Sequence, residues 1–67
     1  MDTAQLIARA KQGLKVDSDS ALCRRIDYDR QNFAGVKHGR RAMPIPLEIK
    51  LRHAAGDKPE EIIKQYL

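Results

Sequence analysis

Aromatic side chains and cysteine are nearly missing from this chain, which holds one Phe, two Tyr, no Trp and a single Cys. One cysteine cannot form an intramolecular disulfide. Small secreted domains usually depend on such staples, so the composition points to a reducing, cytoplasmic setting. Three aromatics are too few for a base-stacking platform, which argues against RNA as a ligand. Long apolar runs are also lacking. The uninterrupted stretches are a few residues long, far below the roughly 20 that span a bilayer, and no membrane partner is expected. The segment Met1 to Val16 is amphipathic and basic, faintly like a transit peptide. Its removal would leave too thin a core, so it is read as part of the fold. No internal repeat or low-complexity stretch occurs.

What is present suits one small domain spanning 1–67. The 67 residues are 42% hydrophobic and 33% charged, apolar enough to fold yet too few for a barrel or a doubly wound sheet. A chain of this size buries only about 60% of the surface that its unfolded form exposes. Thirteen Lys and Arg stand against nine Asp and Glu, a net charge of +4. The excess is localised: Arg30, Lys37, Arg40 and Arg41 fall in a window with no acidic residue, and the other charges cancel. Such a patch is a footprint for phosphate or an ordinary solvated face.

Punctuation divides the chain into helices. Asp2 and Gln5 are spaced as a capping box. Leu6, Ile7, Ala10 and Leu14 recur at helical spacing, and Gly13 suits a left-handed helix end, which puts helix 1 at about Thr3 to Gln12. Helix 2 is placed at about Asp19 to Ile26, behind the cap-rich run Asp17-Ser18-Asp19-Ser20. After a short break at Asp27-Tyr28, Asp29 caps helix 3, about Arg30 to His38, with Phe33 and Val36 inward and Gly39 at its end. Met43-Pro44-Ile45-Pro46 cannot be a helix interior, and Pro46 suits the first turn of helix 4. That helix has the stripe Leu47, Leu51, Ala54 and Ala55 and ends at Gly56. Asp57 and Glu60 give another capping arrangement. Helix 5 then runs from about Lys58 to the end, with Ile62, Ile63, Tyr66 and Leu67 apolar. No period-two alternation competes. The expected fold is all-α, a compact bundle of five short helices. Ile49 lies off the stripe of helix 4, either beneath helix 5 or in a subunit contact.

Few residues suit chemistry. Cys23, His38 and His53 form no metal-ligand pair, and Cys23 reads as a small buried residue at a helix crossing. Asp17-Ser18-Asp19 lacks the glycine and glutamate of a calcium loop. No nucleophile–base pair or phosphate-binding glycine loop appears. Neither catalysis, a metal nor a cofactor is expected.

The second and third helices instead fit a helix-turn-helix over residues 19–38. A small residue is required where the helices touch (Cys23). Apolar residues are required inward (Leu22, Ile26, Tyr28, Phe33, Val36), and a polar one near the start (Asp19). With the following run Gly39-Arg40-Arg41-Ala42-Met43-Pro44, this resembles the lambda-repressor-like family of small phage and bacterial regulators, including Cro and the immunity repressors. The likeness covers nearly the whole chain. It departs at Asp27, where the turn is usually glycine, and at Gly35, inside the third helix. Glycine there implies either a fraying helix or one that approaches the bases closely.

The resemblance implies a sequence-specific double-stranded DNA-binding regulator. It would act as a homodimer, at least on DNA, on a near-palindromic operator, with recognition helices about 34 Å apart. Base readout would fall to Arg30, Gln31, Asn32, Ala34 and Gly35. Gln31 suits the N6/N7 edge of adenine, and Arg30 either guanine O6/N7 or a phosphate. Phosphate contacts would fall to Ser18, Ser20, Lys37, His38, Arg40 and Arg41. Repression by occluding a promoter is the simplest mechanism for so small a chain. The alternative is a protein-interaction module, an antitoxin or anti-repressor with the same fold. Its contact surface would be Ile49 with the apolar C-terminal residues.

Overall fold

Helix ends explain most of this architecture. The computed structural model describes residues 2–64. It contains α1 Thr3–Leu14, α2 Asp19–Ile26, α3 Arg30–Lys37, α4 Ile45–Ala54 and α5 Pro59–Lys64, and no strand among the described residues. Four of the helices stop in the same way. Lys15, Asp27, Gly39 and Gly56 have φ of 57°, 56°, 78° and 101°. Behind each, the next amide donates to a carbonyl five residues back: Val16 to Lys11, Tyr28 to Cys23, Arg40 to Gly35 and Asp57 to Arg52. This is the Schellman closure, which satisfies carbonyls the helix itself leaves unpaired. Asp27 therefore adopts the left-handed conformation without being glycine.

The starts are also locally encoded. Ser18 Oγ accepts the Ala21 amide at 3.1 Å, and Asp29 Oδ2 accepts the Asn32 amide at 2.9 Å. Loss of a cap of this kind costs about 1 kcal/mol. Pro46 sits in the first turn of α4. Three expectations fail at this level. Asp2 makes no side-chain cap bond, so the Asp2–Gln5 box does not form. Asp57 does not cap α5: the helix begins at Pro59, with Lys58 before it, and Arg9 Nη2 and Arg52 Nε hold the Asp57 carboxylate at 2.9 and 3.0 Å. Gly13 does not end α1, which runs on to Leu14 and turns at Lys15. Gly13 is small for a different reason: an ideal Cβ there would stand 2.0 Å from the Ala54 carbonyl oxygen. Glycine lets the backbones of α1 and α4 touch.

The core is continuous from α1 to α4. Leu6, Ile7 and Ala10 meet Leu22, Cys23, Ile26, Phe33, Val36, Leu47 and Leu51, and Leu14, Val16, Tyr28, Met43 and Ala54 pack around them. Phe33, Leu22, Leu47 and Leu51 are each under 2% exposed. Fully burying such a side chain contributes about 1.5–3 kcal/mol. α1 packs chiefly on α4, α2 bridges α1, α3 and α4, and α5 rests on α4. Within α5, Ile62 is buried and Ile63 is 55% exposed. Tyr66 and Leu67 lie outside the described residues. No helix is long and apolar enough to cross a membrane among them.

Candidate nucleic-acid interface

α2 and α3 are each eight residues long and are joined by a three-residue turn. Phe33 and Val36 hold α3 to the core, which turns the opposite side outward. Gln31, Ala34 and His38 lie along that side at i, i+3 and i+7, one face of a helix. Gln31 and His38 are exposed and Ala34 is half-buried. His38 stands just past α3 as its cap rather than within it.

Two contacts tie one flank of α3 to α2. Arg30 Nη1 donates to Ser20 Oγ at 2.8 Å. Lys37 pairs with Asp19, whose other oxygen takes Lys11 Nζ at 2.6 Å. Asp19 thus joins α1, α2 and α3. Burial alone would raise its carboxyl, but the two lysines outweigh burial and hold it below the usual carboxylate range. Lys37 was expected to extend from the helix end as a phosphate clamp. The structure instead commits its ammonium to Asp19. Sequence reasoning missed this tie, because Asp19 and its partners are eight and 18 residues apart.

The other flank is formed by Arg41. Its Nη1 donates to Asn32 Oδ1 at 2.9 Å, across nine residues. Its Cδ stands 3.3 Å from where a Cβ on Gly35 would be. Gly35 is therefore buried beneath Arg41 rather than open at the surface, and α3 does not fray there: its carbonyl accepts the Arg40 and Arg41 amides at 2.8 and 3.2 Å. Arg40 is exposed. Ser18 and Ser20 use their oxygens as acceptors, and each keeps a hydroxyl proton to donate.

A second surface lies elsewhere on the bundle. Ile49 is 38% exposed and borders an open groove of about 340 Å³. Leu14, Ile26 and Ala54 line it, with Arg25, Lys50 and His53 around them. Lys50 Nζ is fixed there by the Ile26 carbonyl at 2.8 Å. None of the described residues of α5 lines this groove, so the first of the two alternatives for Ile49, cover by helix 5, finds no support among them. Cys23 is buried, and burial pushes its thiol pKa up, which disfavours the reactive thiolate. No group of three potential metal ligands occurs among the described residues. The chain matches no family model, no curated protein and no solved structure.

Proposed function

We propose that this chain is a sequence-specific double-stranded DNA-binding regulator. α2 and α3 would act as a helix-turn-helix, and α3 would enter the major groove. One observation carries the reading. The second of two helices joined by a left-handed turn at Asp27 presents Gln31, Ala34 and His38 outward. The segment from Arg30 to Arg41 carries four cations and no carboxylate. A polar strip flanked by a net positive charge, with Lys37 paired to Asp19 of α2, suits base edges and phosphates together. The resemblance to the lambda-repressor-like regulators supports the same reading and implies two copies on a near-palindromic site. Repression in a bacterial or phage setting follows from that resemblance alone.

Selection of binding sites from random duplex DNA tests it. Enrichment of a symmetric motif is expected, with half-site centres about one helical turn apart. Affinity should fall steeply with salt as phosphate-bound counterions are released. Failure to enrich any motif would remove the proposal. A protein-interaction module is the second reading, and the groove around Ile49 favours it: a partner with apolar side chains and carboxylates would complement Leu14, Ile26 and Ile49 beside Arg25 and Lys50. Binding of that kind would show a shallow salt dependence and sensitivity to Ile49→Asp.

A further inference from the structure

We infer that Arg41 is a base-reading residue, seated for that task by Gly35 and Asn32, rather than a phosphate clamp. This rests on the DNA-binding reading. The placement is built stepwise from the chain. The Arg41 amide donates to the Gly35 carbonyl at 3.2 Å, which pins the residue's backbone over the C-terminal end of α3. From there its side chain runs back along the helix. Cδ, Cγ and Nε would stand 3.3, 3.5 and 3.6 Å from a Cβ at Gly35. Nη1 then reaches Asn32 Oδ1 at 2.9 Å. Gly35 and Asn32 are three apart and share one side of the helix, so the arginine covers α3 itself.

That position changes what the guanidinium can do. A phosphate clamp works as a charge extended from the end of a helix. Here the charge lies beside Gln31, Ala34 and His38, where the helix would meet base edges. The Asn32 bond uses one of five N–H donors. Nε and Nη2 take no part in it, and a fork of two parallel donors matches guanine O6 and N7. Asn32 becomes a positioning residue, because its Oδ1 already accepts from Arg41. Gly35 acts by absence: a methyl group there would press on the arginine stem at a separation tighter than ordinary van der Waals contact. Arg30 and Lys37, the other cations on α3, are engaged with Ser20 and Asp19 of α2.

The experiment is site selection from random duplex DNA, with the wild type, Arg41→Lys, Asn32→Ala and Gly35→Ala side by side. Arg41→Lys keeps the charge and removes the fork. It should keep the salt slope while losing preference for one guanine in each half-site by about 5- to 150-fold. Asn32→Ala and a folded Gly35→Ala should weaken preference at the same base pair and leave the others intact. A motif unchanged in Arg41→Lys overturns the inference and leaves the DNA-binding reading standing. A wild type that enriches no motif overturns both. A uniform loss across all base pairs in Arg41→Lys also overturns it, since that is the behaviour of a backbone contact. Because Arg41 and Asn32 are exposed, their variants keep the test decisive even if Gly35→Ala does not fold.

Discussion

Replacing Gly13 by alanine separates two roles that a glycine near a helix end can have. The residue lies in the last turn of α1, where alanine is intrinsically better by about 1 kcal/mol. On local grounds alone the variant should gain stability. The structure requires the opposite. The new methyl carbon would sit 2.0 Å from the Ala54 oxygen and 3.1 Å from its carbonyl carbon. Close C···O contacts in proteins lie at about 3.3–3.6 Å, so α1 and α4 must part by more than ~1 Å. The obstacle is backbone, and no rotamer change relieves it. Overpacking of this kind costs about 1–3 kcal/mol and sometimes more. Because only backbone can give way at 2.0 Å, the cost falls in the upper part of that range, about 2–3 kcal/mol. A net loss of about 1–2 kcal/mol remains after the propensity gain. For a domain of this size that lowers the unfolding midpoint by about 4–16 °C. Thermal unfolding followed by circular dichroism at neutral pH reads it directly. A midpoint equal to or above that of the wild type would refute the close α1–α4 approach.

The remaining expectations concern turns, acid and charge. Lys15→Gly and Asp27→Gly should each stabilise by a few tenths to about 1 kcal/mol, because both residues hold positive φ and glycine relieves that cost while loosening the unfolded chain; a clear fall in either midpoint would contradict the geometry, and Asp27→Gly should leave base preference unchanged. Acid should destabilise the fold. Asp19 and Asp57 both sit below the usual carboxylate range, Asp57 through hydrogen bonds from Arg52 and Arg9. Their stabilisation is therefore complete above the unfolded value of about 3.9 and is lost as pH falls through the lower folded values. Midpoints measured from pH 7 to 2 should drop less steeply in Asp57→Asn than in the wild type, and parallel curves would count against the tie. Arg40→Ala should weaken binding to all DNA sequences alike and reduce the salt slope by about one unit; a sequence-selective loss would make Arg40 a base contact.

What could be read from the chain was what neighbours in sequence decide. α2 appears with the bounds that its cap-rich start and the turn at Asp27 imply, and Asp29 caps α3 as its side chain suits. The all-α bundle and most of its core follow from apolar spacing. Gly13 was misplaced because a capping glycine and a contact glycine look alike in one dimension. Leu14, already part of the apolar stripe although it lies beyond Gly13, was the sign that the helix runs on. Lys15 could not be singled out as a turn residue, since lysine has no preference for positive φ. At the candidate interface the residue types were legible and their pairings were not. Arg41 on Asn32, Lys37 on Asp19 and Arg9 on Asp57 each join side chains from separate elements. Asp57 illustrates the limit: a residue spaced as a cap was captured by two arginines.

The contact of Gly13 with Ala54 makes α1 and α4 the two jaws of a clasp, with α2 and α3 strung between them. Closing a loop of about forty residues costs about 3 kcal/mol of chain entropy before any contact repays it. A growing chain produces α1 first, yet α1 lacks its chief partner until α4 has been made. The α2–α3 pair has only local contacts to form and has no such wait. Docking of α1 is therefore the step that locks the rest, and amides in α1 and α4 should exchange through one shared opening. α3 rests through Phe33 and Val36 on the core that this junction closes. A substitution at the jaws would then alter how α3 is presented without changing a single residue on its surface.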